Sequence, residues 1–84
     1  MTRTEIKNTI VTILKENLDE WENRDIDESS VLNTDVSVDS IRFIYLMTKI
    51  EAAFNINVPE RKWAKLVTFA DVIDAVEEEV LKKE

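Results

Sequence analysis

Apolar residues recur at helical spacing in separate stretches of the chain. Ile6, Ile10, Ile13, Leu14 and Leu18 form one stripe, which predicts an amphipathic first helix. Thr2 and Glu5 stand at capping-box spacing at its start. A second helix is predicted from about Ser40 to Phe54, with Ile41, Ile44, Leu46 or Met47, Ile50 and Phe54 as its apolar face. The run N-I-N-V-P then ends it, because the residue before Pro59 is pushed out of the helical region. Pro59 can open a short third helix over Glu60 to Lys65, where its missing N–H costs nothing. Thr68, followed by Asp71, resembles a cap for the last helix, which turns Phe69, Val72, Ile73, Val76 and Val80 inward. Between the first two helices, Asp19 to Asp39 is polar and too long for an ordinary helix–helix connection. Its apolar residues Trp21, Ile26, Val31 and Leu32 predict a loop laid over the bundle. The expected fold is all-α: a small four-helix bundle with three longer helices, a short third and a long first loop. It spans residues 1–84 as one domain.

Composition removes most chemistry from this scaffold. The chain has 84 residues, 44% of them hydrophobic, with no glycine and a single proline, a balance that suits a compact helical domain. Without cysteine there is neither a disulfide framework nor a thiolate zinc site. Without histidine, the commonest metal ligand and the commonest general base are missing. No metal site and no catalytic residue are expected, and the protein is not read as an enzyme. D-I-D-E-S-S has the look of a calcium loop, but Ser30 replaces the required glycine and Val36 the twelfth-position acid. No apolar run reaches the length of a membrane span, and Met1 to Leu18 is amphipathic, so a cytoplasmic protein is expected.

The net charge of −7 disfavours nucleic acid, which needs a basic face. That charge is unevenly placed. Residues 1–40 hold ten acids and four bases, residues 41–70 two acids and five bases, and residues 71–84 six acids and two bases. The middle of the chain is therefore locally basic.

The junction S-V-D-S-I-R-F, from Ser37 to Phe43, is where the acidic run meets the second helix. With Asp39 as N-cap, Ser40 falls at the first helical position, its hydroxyl above the positive end of the helix dipole. An anion attached to that oxygen would be stabilised there. A serine in a first helical turn is common, and taken alone it would mean no more than a tolerated polar residue.

The wider pattern is more specific. D-V-S-V-D-S-I, then E-A-A-F, then V-P and T-F-A-D-V-I resemble the acyl carrier protein family over essentially the whole chain. Asp35, Asp39 and Ser40 match its attachment pattern, Val36 and Ile41 match by type, and Glu51, Phe54, Val58, Pro59 and Thr68 keep its spacing without a gap. The resemblance implies a four-helix carrier in which Ser40 receives 4′-phosphopantetheine from coenzyme A, with Asp39 beside it. The arm's thiol would hold an acyl or aminoacyl group as a thioester for enzymes of fatty-acid, polyketide or related biosynthesis. It also implies an apolar interior, including Leu46, Val58, Leu66 and Ala70, that can shelter the bound chain. The implied partners are a phosphopantetheinyl transferase and the enzymes that load and elongate the cargo, meeting a monomeric carrier. The alternative is an unmodified helical interaction domain that keeps the carrier fold.

Two departures from the family pattern carry information. Ser37 stands where glycine is usual, so a left-handed backbone there would cost strain. Many members present acids along helix two, whereas this chain has Ile41, Arg42, Tyr45 and Lys49 there and Arg61, Lys62 and Lys65 in the third helix. The expected docking residues are Ile41, Arg42, Tyr45, Lys49, Arg61 and Lys62, in a carrier specialised for a secondary metabolite, a modified lipid or an aminoacyl group. Trp63 either packs under the third helix or contacts a partner, and the small core favours packing.

Overall fold

The computed structural model describes residues 1–18, 21–23, 25–32 and 41–83. Within them lie α1 (Arg3–Asn17), α2 (Ile41–Phe54), the short α3 (Glu60–Trp63) and α4 (Phe69–Lys83), with no strand among the described residues. The fold is the predicted all-helical one. At the start of α1, Thr2 Oγ1 accepts from Glu5 N–H (3.2 Å) while Glu5 returns a bond to Thr2 N–H (3.1 Å), completing the capping box.

α1 packs against α2 and α4. Ile6, Ile10 and Leu14 are fully buried, and Ile13 and Leu18 lie at the margin of the same cluster. α4 contributes Phe69, Val72, Ile73 and Val76 to the core, with Val80 partly buried at its edge. Trp63 is buried and donates its indole N–H to the Val58 carbonyl (3.0 Å), so its one polar group is satisfied inside.

α2 is rotated from its predicted face. Phe43, Leu46, Met47, Ile50 and Phe54 point inward, whereas Ile44 is 39% and Ile41 83% exposed. Each residue turns the helix by about 100°, so a face centred on Phe43 and Ile50 leaves Ile44 on its flank and Ile41 on its far side. Phe43, not counted among the inward positions from sequence, fills the place instead. Its ring meets Trp63 edge-to-face, with centroids 6.1 Å apart.

The end of α2 also differs in its cause. Asn55 adopts a left-handed backbone (φ 54°), Asn55 N–H bonds Ala52 C=O (3.4 Å), and Ile56 N–H bonds Glu51 C=O (3.0 Å). This is a Schellman ending, and in a chain without glycine an asparagine takes the left-handed position. Pro59 therefore does not stop α2. It is the N-cap of α3, one place before the first helical position. α3 itself ends at Trp63 rather than Lys65, and the chain continues through tight i→i−3 bonds from Lys65 and Leu66.

The described part of the long connection, residues 21–23 and 25–32, lies against the bundle and is tied to α4. Trp21 is buried, and Ile26 and Leu32 pack at the core margin, while Val31 is 44% exposed. Val31 and Thr68 form an isolated antiparallel bridge, and Leu32 N–H bonds Val67 C=O (2.9 Å). The carbonyls of Ser30 and Glu28 accept from Phe69 N–H (2.8 Å) and Ala70 N–H (2.9 Å). Thr68 Oγ1 takes Asp71 N–H (3.2 Å). The first-turn donors of α4, which no helix can satisfy internally, thus all have partners.

Asp71 closes the cap by accepting from Thr68 N–H (3.0 Å) and Val67 N–H (3.1 Å). The Thr68 backbone bond is the main cause that holds its carboxyl below the usual aspartate value of 3.8. A depressed folded-state pKa gives stability that is present above the unfolded value and lost as pH falls through the folded one. Asp71→Ala is expected to cost about 1–2 kcal/mol near neutral pH. In urea titrations, its deficit relative to wild type should shrink as pH falls below about 4. A deficit that stays constant into acid would show that the carboxylate is not the cap.

Candidate attachment site

The second helix begins, among the described residues, at Ile41. Ser40 and Asp39, the expected attachment residue and its neighbour, lie outside the described residues, as do Asp35, Val36 and Ser37. What is described is the surface on which they border. The first turn of α2 contains no acid and carries the exposed Arg42. Ile41 and Tyr45 stand on the outer face, 83% and 43% exposed. Lys49 Nζ lies 5.4 Å from the Tyr45 ring centroid, within cation–π range, and the Tyr45 hydroxyl points to Asn17 Oδ1 at 3.3 Å.

Of the other expected docking residues, Arg61 is exposed on α3. Lys62 is turned toward α4, where it meets Glu78 Oε1 at 3.0 Å and Glu79 Oε2 at 3.6 Å. Lys62 is thus partly engaged by its own chain. Glu79, also bridged by Lys82 at 3.2 Å, keeps a side chain only 14% exposed.

The expected interior residues separate in the same way. Leu46, Val58 and Leu66 are buried in one cluster, whereas Ala70 is half-buried. Leu66 also reaches a groove of about 300 Å³ between α3 and α4, lined by Lys62, Lys65, Asp71, Asp74, Ala75 and Glu78; Leu46, Val58 and Ala70 are not part of that lining.

Glu51 has a task that hydrophobic spacing does not reveal. Its carbonyl takes Ile56 N–H, and its carboxylate accepts Val58 N–H at 2.6 Å. Val58 is therefore held from both sides, by Glu51 at its N–H and by Trp63 at its C=O. One acid on α2 and one tryptophan on α3 fix the V-P step between them. Lys83 adds a bond to the Asn55 carbonyl (2.7 Å), placing a cation at the negative end of α2.

A protein-family model described as the phosphopantetheine attachment site matches residues 6–76. That span runs from the first buried residue of α1 into α4 and includes the D-S-I run at the head of α2. The chain belongs to this family. A comparison with curated proteins gives no match.

As a member of the phosphopantetheine-attachment family, the chain has the role of a carrier, and the family's prosthetic group is 4′-phosphopantetheine. Such carriers meet phosphopantetheinyl transferases and biosynthetic enzymes. The described border of the site fits an anionic group. The positive end of α2 has, from Ile41 onward, no acid in its first turn, a guanidinium at Arg42, and a solvent-exposed Ile41. Among the described residues there is no cluster of acids able to hold a metal ion, and no helix long and apolar enough to cross a membrane.

Proposed function

We propose that residues 1–84 act as one carrier domain, monomeric and cytoplasmic, whose Ser40 hydroxyl is the point of attachment. The family match across the D-S-I run carries this reading. In loading, the Ser40 oxygen forms a new O–P bond as the diphosphate bond of coenzyme A breaks. Its proton passes to the transferase, and adenosine 3′,5′-bisphosphate leaves. The bound arm supplies the thiol on which an acyl or aminoacyl group is carried as a thioester. The chain's own residues contribute placement. α2 offers a cationic, solvent-facing end, Glu51 and Trp63 hold the Val58–Pro59 step, and Leu46, Val58 and Leu66 supply an apolar interior for a carried chain, with Ala70 at its margin.

Incubation with an acyl-coenzyme A and a broad-specificity transferase is expected to add the mass of the acylated arm. Hydroxylamine should then remove only the acyl part. An unmodified helical interaction domain would stay at its translated mass under the same treatment.

The partners we infer are not the general enzymes of fatty-acid synthesis. Ile41, Arg42, Tyr45, Lys49 and Arg61 are exposed near the head of α2 and on α3, with Lys62 beside them. A partner tuned to acidic carriers would meet like charge, which slows encounter and disfavours the pairing. A dedicated partner for a specialised pathway would present an acidic rim around apolar contacts for Ile41 and Tyr45. Reversing Arg42 and Lys49 to glutamate is expected to change acyl-transfer rates by about tenfold at low salt. The rate should rise with a generic partner and fall with the dedicated one, and both changes should weaken at high salt. Equal rates for wild type and double variant would leave these bases as solvated surface.

A further inference from the structure

Two buried aromatic rings meet between the second and third helices. Phe43 stands near the head of α2 and Trp63 ends α3, and their rings cross edge-to-face at 86°. The Trp63 indole N–H donates to the Val58 carbonyl (3.0 Å), while the Val58 N–H donates to the Glu51 carboxylate (2.6 Å). Along the inner face of α2 the order from its head is Phe43, Leu46, Met47, Ile50 and Phe54. A group arriving from that head reaches Phe43 about 4.5 Å before Leu46. Leu46, Val58 and Leu66 lie buried in the same cluster as the two rings.

We infer that the Phe43–Trp63 pair determines which cargo this carrier shelters. It admits aliphatic acyl chains above a threshold length to the Leu46, Val58 and Leu66 interior and leaves shorter acyl groups in solvent. The inference rests on the carrier reading, with the arm on the residue bonded to Ile41. Entry has a fixed cost, because the rings part and the Val58 carbonyl loses its indole donor. The return grows with length, since each buried methylene multiplies the sheltered population about fourfold. A fixed cost against a growing return makes a threshold. The population passes from mostly outside to mostly inside within about three added methylenes. Trp63 is able to move because α3 has only four residues, flanked by i→i−3 bonds rather than a long helical ladder.

The test loads unbranched acyl groups, from acetyl to dodecanoyl, from their coenzyme A thioesters with a broad-specificity phosphopantetheinyl transferase. Cleavage of each thioester by hydroxylamine is compared with that of the same acyl group on coenzyme A. Short members should be cleaved at the reference rate and long ones about tenfold more slowly, with the change confined to about three methylenes. In protein carrying fluorotryptophan, the Trp63 resonance should shift in step with that change, and Trp63→Phe assigns it by removing it. Phe43→Leu and Trp63→Phe each weaken the closed arrangement, so each should move the midpoint about one to two methylenes shorter. Ile10→Val, a core change on a helix that carries neither ring, should lower Tm and leave the midpoint in place.

A relative cleavage rate that is the same at every length would overturn the inference, as would protection that grows with no change at Trp63. So would a midpoint unmoved or lengthened in Phe43→Leu and Trp63→Phe, or one moved as far by Ile10→Val. If the wild type accepts no arm at all, the carrier reading itself fails, and the inference with it. If the arm is loaded and only the length threshold is missing, the carrier reading stands and the role of the two rings fails.

Discussion

Leu46→Ala is expected to lower stability by about 2–5 kcal/mol, the cost of removing a large side chain from a packed interior. Leu46 is 2% exposed at the middle of α2 and shares its face with Met47 and Ile50, both fully buried. The surrounding helices can close only part of the space it leaves. A domain of this size has a total stability of about 5–15 kcal/mol, so the loss is a large share of it. Each kcal/mol corresponds to about 4–8 °C in Tm for a domain of this length. Thermal unfolding followed by circular dichroism measures the effect. A melting temperature equal to that of wild type would mean that α2 presents a different face to the core.

Ser40→Ala is expected to abolish loading while leaving the helical fold and its melting transition in place. The substitution removes one hydroxyl, and at the surface position that the sequence leads one to expect, such changes usually stay within about 0.5 kcal/mol. The effect on loading is absolute because the new O–P bond has no other oxygen in register with Glu51, Phe54, Val58 and Pro59. Circular dichroism and intact mass on the same sample separate the two properties. A variant that still gains the arm would move the attachment to another hydroxyl, with Ser37 the nearest serine upstream.

The features legible in the sequence were those written in local spacing. The Thr2–Glu5 box and the Thr68–Asp71 cap are three-residue relations, and both form as read. The stripes of α1 and α4 follow one helical period, and the buried residues fall on them, apart from Ala75 on the flank of the α4 stripe. α2 was harder because it is apolar on more than one side. Ile41, Ile44 and Tyr45 have the composition of a core face but the position of a surface, and only packing against Trp63 decides that Phe43 goes in.

Long-range relations had no local signature. Arg3 meets Glu28 and Asp74 across separations of 25 and 71 residues, and no periodicity links them. The carbonyls of Glu28 and Ser30 serve α4 through backbone geometry that any side chain would permit. The Asn55 ending has a local signature, but a weak one. Proline is the more visible helix stop, while a left-handed asparagine is recognisable mainly from the absence of glycine elsewhere in the chain. Glu51 was visible only as part of the family pattern, and its bond to Val58 gives that pattern a physical cause.

The carrier reading is tested most directly by locating the arm on the wild-type protein. After incubation with coenzyme A and a broad-specificity transferase, trypsin should release residues 25–42, a peptide that contains Ser29, Ser30, Thr34, Ser37 and Ser40. Fragmentation by tandem mass spectrometry should place the whole mass of 4′-phosphopantetheine on Ser40, with Ser37 unmodified. An unmodified peptide, or the added mass on any other residue, would contradict the account.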